Sequence, residues 1–211
     1  LVDDKFEQDA PNILSLLKTV TNQPVKYVVN THHHGDHSGG NARMQMAGAQ
    51  LIASEQARRY MVDAKQPGQP GVTFVDRALI HLGGKAVELY YFGRAHTDGD
   101  LVVVFPEKRL AHLGDLFPGK AAPVIDTASG GSAVEFPRTL QRIVAEVANV
   151  VRITTGHDES SLIPANRESG AAVFANPKTM TWADLREYVD FNNDFLTAVR
   201  QAMADGKTAA E

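Results

Sequence analysis

Cysteine is absent from the 211 residues, which excludes disulfide bridges and thiolate metal ligands and leaves the redox compartment open. No apolar run approaches the ~20 residues needed to cross a bilayer, so no membrane segment is read here. Charge of one sign is scarce as well: 21 Lys and Arg face 25 Asp and Glu, a formal net charge of −4. That balance is too mild and too evenly spread for a nucleic-acid surface, and no basic cluster of the kind that tracks phosphates occurs. Short-period repeats and low-complexity tracts are missing too. The chain starts at Leu1 without methionine, and "LVDDKF" reads as a strand end entering a turn, compatible with processing, truncation or residues upstream. Any signal peptide would be lost with such residues, which leaves a cytoplasmic and a periplasmic or secreted location equally open. Oligomeric state is open as well.

What is present is a 43% hydrophobic composition, enough for the core of one domain over residues 1–211, and a concentration of histidine. Four of the eight histidines, with one aspartate, fall in the six positions His32 to His37. An expression tag would sit at a terminus, whereas this cluster follows the β-branched run Lys26 to Thr31, a buried strand entering a glycine-rich turn. In an extended segment residues two apart share a face, so His32 and His34 can present their imidazoles to one ion. Asp36 and His37 lie beyond Gly35, where the turn can redirect them to a second position.

Strand and helix signals alternate along the chain, as in an α/β protein. Asp9 and Pro11 open a first helix with an apolar face of Ile13, Leu14, Leu16, Leu17 and Val20, stopped by Asn22 to Pro24. A short helix is expected over Asn41 to Ala47, a strand over Gln50 to Ala53, and a helix capped by Ser54 running to about Ala64. The Pro/Gly-rich "AKQPGQPG" reads as a flexible loop near a site mouth or as a plain surface connection. Strands follow in "RALIHL", "KAVELYYFG", "DLVVVFP" and "RLAHLGDLF", the last two joined by the antiparallel turn "FPEKRL". "SAVE", Ser132 to Glu135, forms a capping box opening a helix to roughly Ala148. Strand "VVRITTGH" comes next, and Thr181 with Asp184 starts a terminal helix reaching about Gly206.

His96, Asp115 and His157 each stand where an apolar strand ends in a small-residue loop, the usual location of functional groups in α/β folds. A solitary histidine is usually structural; seven metal-binding residue types in matching settings share one explanation. His33, His81 and His112 take the structural reading, with His33 on the face opposite its neighbours. Arg94 and Lys120 are weaker candidates for binding a substrate carboxylate or phosphate.

The string "THHHGDH" fits the HxHxDH signature of the metallo-β-lactamase superfamily, with His96, Asp115 and His157 in that family's order, and the chain resembles the family over nearly its whole length. "AHTDGDLVVVFP" and "SGGN" are similar to further family segments around the site. The resemblance implies an αββα sandwich with a metal site at one edge between two sheets. It further implies that His32, His34 and His96 hold one ion, that Asp36, His37 and His157 hold a second, and that Asp115 bridges. Two zinc ions are the expected cofactors, and a set made only of imidazoles and carboxylates also accepts iron or manganese. Family members begin with more strands than can precede Leu1, so either the first sheet is short here or its opening strands lie upstream. The segment 159–180 reads as an insertion bordering the pocket.

Three functions are consistent with this pattern. The first is a dinuclear zinc hydrolase whose bridging hydroxide, oriented by Asp36, attacks a small-molecule ester, thioester, lactone or related substrate. The second is a β-lactamase, favoured by "HTDGD" and disfavoured by Asp115, since the most similar lactamases carry cysteine there. The third is a non-catalytic or redox metal module. The complete ligand set opposes a degenerate scaffold, and His34 opposes the di-iron flavoprotein branch, which has Glu at that position.

Overall fold

The computed structural model describes residues 1–157 and 179–208. Its first sheet is parallel, in the order β1 (Tyr27–Val29), β2 (Gln50–Ser54), β3 (Val72–Phe74), and Val2 adds a one-residue bridge to Val29. The second sheet follows chain order: β4 (Arg77–Leu82), β5 (Lys85–Tyr91), β6 (Leu101–Phe105), β7 (Leu110–His112), β8 (Arg152–Thr154) and β9 (Met180–Thr181). All its pairings are antiparallel except β7 with β8. The β4–β5 hairpin turns on Gly83 and Gly84, at φ +57° and +74°; a two-residue hairpin with two positive φ values is where glycine is required.

Helices α1 (Ala10–Val20), α3 (Asn41–Met46), α4 (Glu55–Asp63), α5 (Phe136–Glu146) and α6 (Trp182–Ala204) flank the sheets, and the one-turn α2 (Gly35–Ser38) follows β1 at the sheet edge. The period-two alternation of the strands explains why four layers form. In β1 and β2, Val28 and Leu51 face Ala10 and Met44 of the helices, whereas Val29 and Ile52 face the second sheet. In β6, Leu101 and Val103 meet them from the other side, and Val102 and Val104 turn outward to Leu140 and Ile143 of α5 and Leu185 and Val189 of α6. Every residue of β6 from Leu101 to Val104 is at most 2% exposed, as expected of a strand covered on both faces. The αββα sandwich therefore holds.

Several local expectations need correction. "SAVE" does not open a helix: the Ser132 hydroxyl accepts from Glu135 N–H at 3.2 Å, but the Glu135 carboxylate pairs with Arg94 and the helix starts one turn later at Phe136. β3 was not anticipated, because its three residues are too few to show alternation. The strand "RLAHLGDLF" stops at His112, and Asp115 sits in the 3₁₀ turn Gly114–Leu116. Gln66 donates to the Ser38 hydroxyl at 2.6 Å, so the Pro/Gly-rich loop is tied behind the site and does not line the cleft. Apart from its last two residues, the expected insertion 159–180 lies outside the described residues. Among the described residues no helix is long and apolar enough to cross a membrane.

Candidate metal centre

Sheet direction gathers the candidate residues. β5 and β7 both run antiparallel to β6, and β8 is parallel to β7, so the C-terminal ends of β5, β7 and β8 share one edge. Those ends lead to His96, Asp115 and His157. β1 delivers His32 and His34 to the same edge from the other sheet, where Leu101 N–H donates to Thr31 C=O at 2.8 Å. α2 then turns Asp36 and His37 inward.

Two groups of donors result. His34 Nδ1 lies 3.1 Å from His32 Nε2 and 3.1 Å from His96 Nε2. In the second group, Asp36 Oδ2 is 3.5 Å from His37 Nε2 and 3.4 Å from His157 Nε2, with 3.4 Å between the two imidazoles. Asp115 stands between the groups: Oδ2 is 3.5 Å from His96 Nε2 and 3.3 Å from His157 Nε2, while Oδ1 is 3.4 Å from His37 Nε2. All seven residues expected as ligands come together.

The outward nitrogens fix what the inward ones can do. His34 Nε2 donates to Asp126 Oδ2 at 2.9 Å, and His96 Nδ1 donates to Val124 C=O at 2.7 Å. The Thr31 hydroxyl donates to Asp3 Oδ2, so it accepts from His32 Nδ1 at 3.1 Å. His37 Nδ1 donates to Asp3 Oδ2 at 2.8 Å. Each neutral imidazole has one proton, and His32, His34 and His96 have placed theirs outward. Three lone pairs therefore converge in the first group with no donor among them, and Asp115 Oδ1 is buried with no hydrogen-bond partner. Convergent acceptors without protons are repulsive unless a cation joins them, and nitrogen and oxygen donors of this kind suit zinc, iron or manganese. The residues fit a metal in both groups.

Electrostatics agree. Burial, then the neighbouring histidines, pushes His32 well below its ordinary range, which keeps it in the ligating neutral form. For His37 burial acts downward, but the Asp3 hydrogen bond and the charges of Asp3, Asp115 and Asp36 prevail and carry it up to about 9. The acids that hold a proton there in the ion-free protein would equally hold a cation. Burial raises Asp115, yet the His157 hydrogen bond and the surrounding imidazoles bring it below its ordinary value.

The family profile of the metallo-beta-lactamase superfamily matches residues 7–157. The chain belongs to that superfamily. Metallo-beta-lactamase type 2 of Bacteroides fragilis is 27% identical over 134 residues, covering 62% of this chain and 52% of that protein. Hydroxyacylglutathione hydrolase of Crocosphaera subtropica is 32% identical over 94 residues, 44% of this chain and 34% of its own length. The chain thus spans about half the length of the first of these relatives and a third of the second. The metallo-beta-lactamase of Pontibacter korlensis superposes with TM-score 0.73 at 23% identity, over 91% of this chain and 81% of that one, a likeness of fold.

Beside the superfamily motif, two acids escaped the sequence reading. Asp3 and Asp126 lie 34 and 92 residues from the histidines they hold, and no local pattern marks them. The two cations singled out earlier are engaged elsewhere: Lys120 with Asp184 at 2.8 Å and Glu187 at 2.7 Å, Arg94 with Gly130 C=O and Glu135. Lys120 still lines the cleft and Arg94 does not. His33 stacks on Tyr60 at 4.9 Å and lies 4.6 Å from the His34 ring, outside the two donor groups. His112 hydrogen-bonds Thr154 and comes within 3.7 Å of Asp3.

Proposed function

We propose that this chain is a metal-dependent hydrolase with a two-ion centre, zinc by preference, acting on a small-molecule ester, thioester, lactone or related substrate. The observation that carries this reading is the convergence of three unprotonated imidazole nitrogens beside a second donor group, with the Asp115 carboxylate between them. His32, His34 and His96 would hold one divalent cation and Asp36, His37 and His157 a second, which would supply Lewis acidity and an activated water at neutral pH.

The chain's own residues do the rest. Asp115 reaches both groups through its two oxygens and fixes their separation. Asp36, with its side chain 33% exposed, is the acid of the set open to the cleft and accepts a hydrogen bond from the attacking water. Pro118, Ala121, Ala122 and Val124 line one side of the cleft with apolar side chains. The cleft, about 860 Å³, admits a small molecule.

A second reading is hydrolysis of β-lactams, favoured by the likeness to Metallo-beta-lactamase type 2 over 62% of the chain. Asp115 weighs against it, because a carboxylate between the groups changes the charge available to stabilise an amide-nitrogen anion. The test is metal content per chain by elemental analysis, then hydrolysis assays on the same sample with a chromogenic cephalosporin, a lactone, a thioester and a phosphodiester. Two metals with turnover of the lactone or thioester supports the first reading, and turnover of the cephalosporin alone supports the second. Less than one metal and no turnover after zinc or manganese addition refutes both.

A further inference from the structure

The cleft mouth carries a cation outside the motif residues. Lys5 lines it beside Phe6, which is 46% exposed. Its placement is built into the fold: Asp3 N–H donates to Val29 C=O, Asp4 N–H to His37 C=O and Gly40 N–H to Lys5 C=O, each at 2.9 Å. Residues 3–5 are thereby strapped to the turn that carries Asp36 and His37. The "SGG" stretch permits this approach, since a Cβ on Gly40 would come 2.6 Å from Asp4 C=O and one on Gly39 3.0 Å from Lys5 C=O. Lys5 itself holds φ +58°, a left-handed backbone that side chains other than glycine, asparagine and aspartate seldom adopt.

Lys5 has no acidic partner among the described residues. Glu7, two positions on, pairs with Arg43 at 3.1 Å, and Lys120 on the same cleft is held by Asp184 and Glu187. We propose that Lys5 determines specificity: its ammonium receives a carboxylate that the substrate carries away from the bond being cleaved, and Phe6 covers the adjoining apolar part. This rests on the hydrolase reading above. A carboxylate fits better than a phosphate, because one flexible ammonium without an arginine fork or a second unpaired cation leaves most oxygens of a dianion unmatched.

Calorimetric titration of the full zinc-loaded chain with 3-mercaptopropionate and with its amide, 3-mercaptopropanamide, tests this without turnover. Both thiols can reach the metal, and only the first offers a carboxylate. Lys5→Met should lower the acid-to-amide affinity ratio about fivefold, the strength of a partly exposed charge pair. Lys5→Gly, which suits the left-handed backbone and so keeps the fold, should give the same loss, Lys5→Arg should retain the ratio, and Lys5→Glu should lower it further. A ratio within twofold of wild type in both Lys5→Met and Lys5→Gly overturns the anchor alone. Failure to load zinc, or binding of neither thiol by a zinc-loaded chain, overturns the metal-centre reading and the anchor with it.

Discussion

Asp3→Asn exchanges one oxygen for an NH₂ group where only acceptors fit. Asp3 Oδ1 accepts from Thr31 N–H at 2.7 Å, and Oδ2 accepts from the Thr31 hydroxyl and from His37 Nδ1, each at 2.8 Å. An asparagine has one acceptor oxygen, so whichever way the amide turns, a donor meets a donor. Burial pushes the Asp3 carboxyl up, but the His112 imidazole 3.7 Å away and the hydrogen bond and charge of His37 prevail and bring it from 3.8 to about 2. That depression is worth about 2 kcal/mol of stability in the ion-free protein. Because the folded value lies below the unfolded one, the contribution is complete above about pH 4 and disappears as pH falls toward 2. At neutral pH the variant should melt about 4–8 °C lower for a chain of this size, and zinc added at the His37 position should bind about 10- to 100-fold more weakly. Urea unfolding of chelator-treated protein at pH 7 and pH 3, with zinc affinity from competition against a chromophoric chelator, measures both effects. A stability difference under about 0.5 kcal/mol at pH 7, or one that grows on acidification, would refute the assigned role of Asp3.

His34→Ala should leave about one metal per chain and remove nearly all hydrolysis; elemental analysis and turnover on one sample read this directly, and wild-type turnover would sink the ligand assignment. Asp126→Ala deletes the acceptor for His34 Nε2 and the cap on Ala128 and Ser129 N–H, so metal affinity at one position should fall about 10- to 100-fold with about 1 kcal/mol of stability lost. At Gly156 a Cβ would lie 2.1 Å from Asp115 Oδ1 and 2.7 Å from the Gly114 carbonyl carbon. Gly156→Ala should therefore displace the carboxylate between the groups, weaken both ions together and cost about 1–3 kcal/mol, measured by the same chelator competition and by urea unfolding.

What could be read in advance follows from the range over which each physical cause acts. Helix α6 was legible because its capping box is local: Thr181 and Asp184 satisfy each other's neighbouring N–H groups within four residues. The same pattern at Ser132 misled because Glu135 has a better partner in Arg94, 41 residues away. The candidate ligands were legible because their residue types are distinctive and each follows a strand. Asp3 and Asp126 were not, since an aspartate in a turn looks the same whether or not an imidazole reaches it. Lys120 illustrates the converse: its loop position was readable, whereas its engagement by two acids of α6 belongs to the folded chain.

Translation presents the two donor groups at different times. The first spans 64 residues, from His32 to His96, and the second 121, from Asp36 to His157. Closing the longer span costs only about 0.6 kcal/mol more, so equilibrium hardly separates them, but order of synthesis does. A nascent chain that has reached His96 already exposes three imidazoles of the first group, two of which, His34 and His96, still lack their outward acceptors, because Val124 follows 28 residues later and Asp126 after it. At ~5–20 residues per second, several seconds pass before His157 exists. Both donor groups, with the acceptors that orient their imidazoles, are therefore complete only in the finished chain.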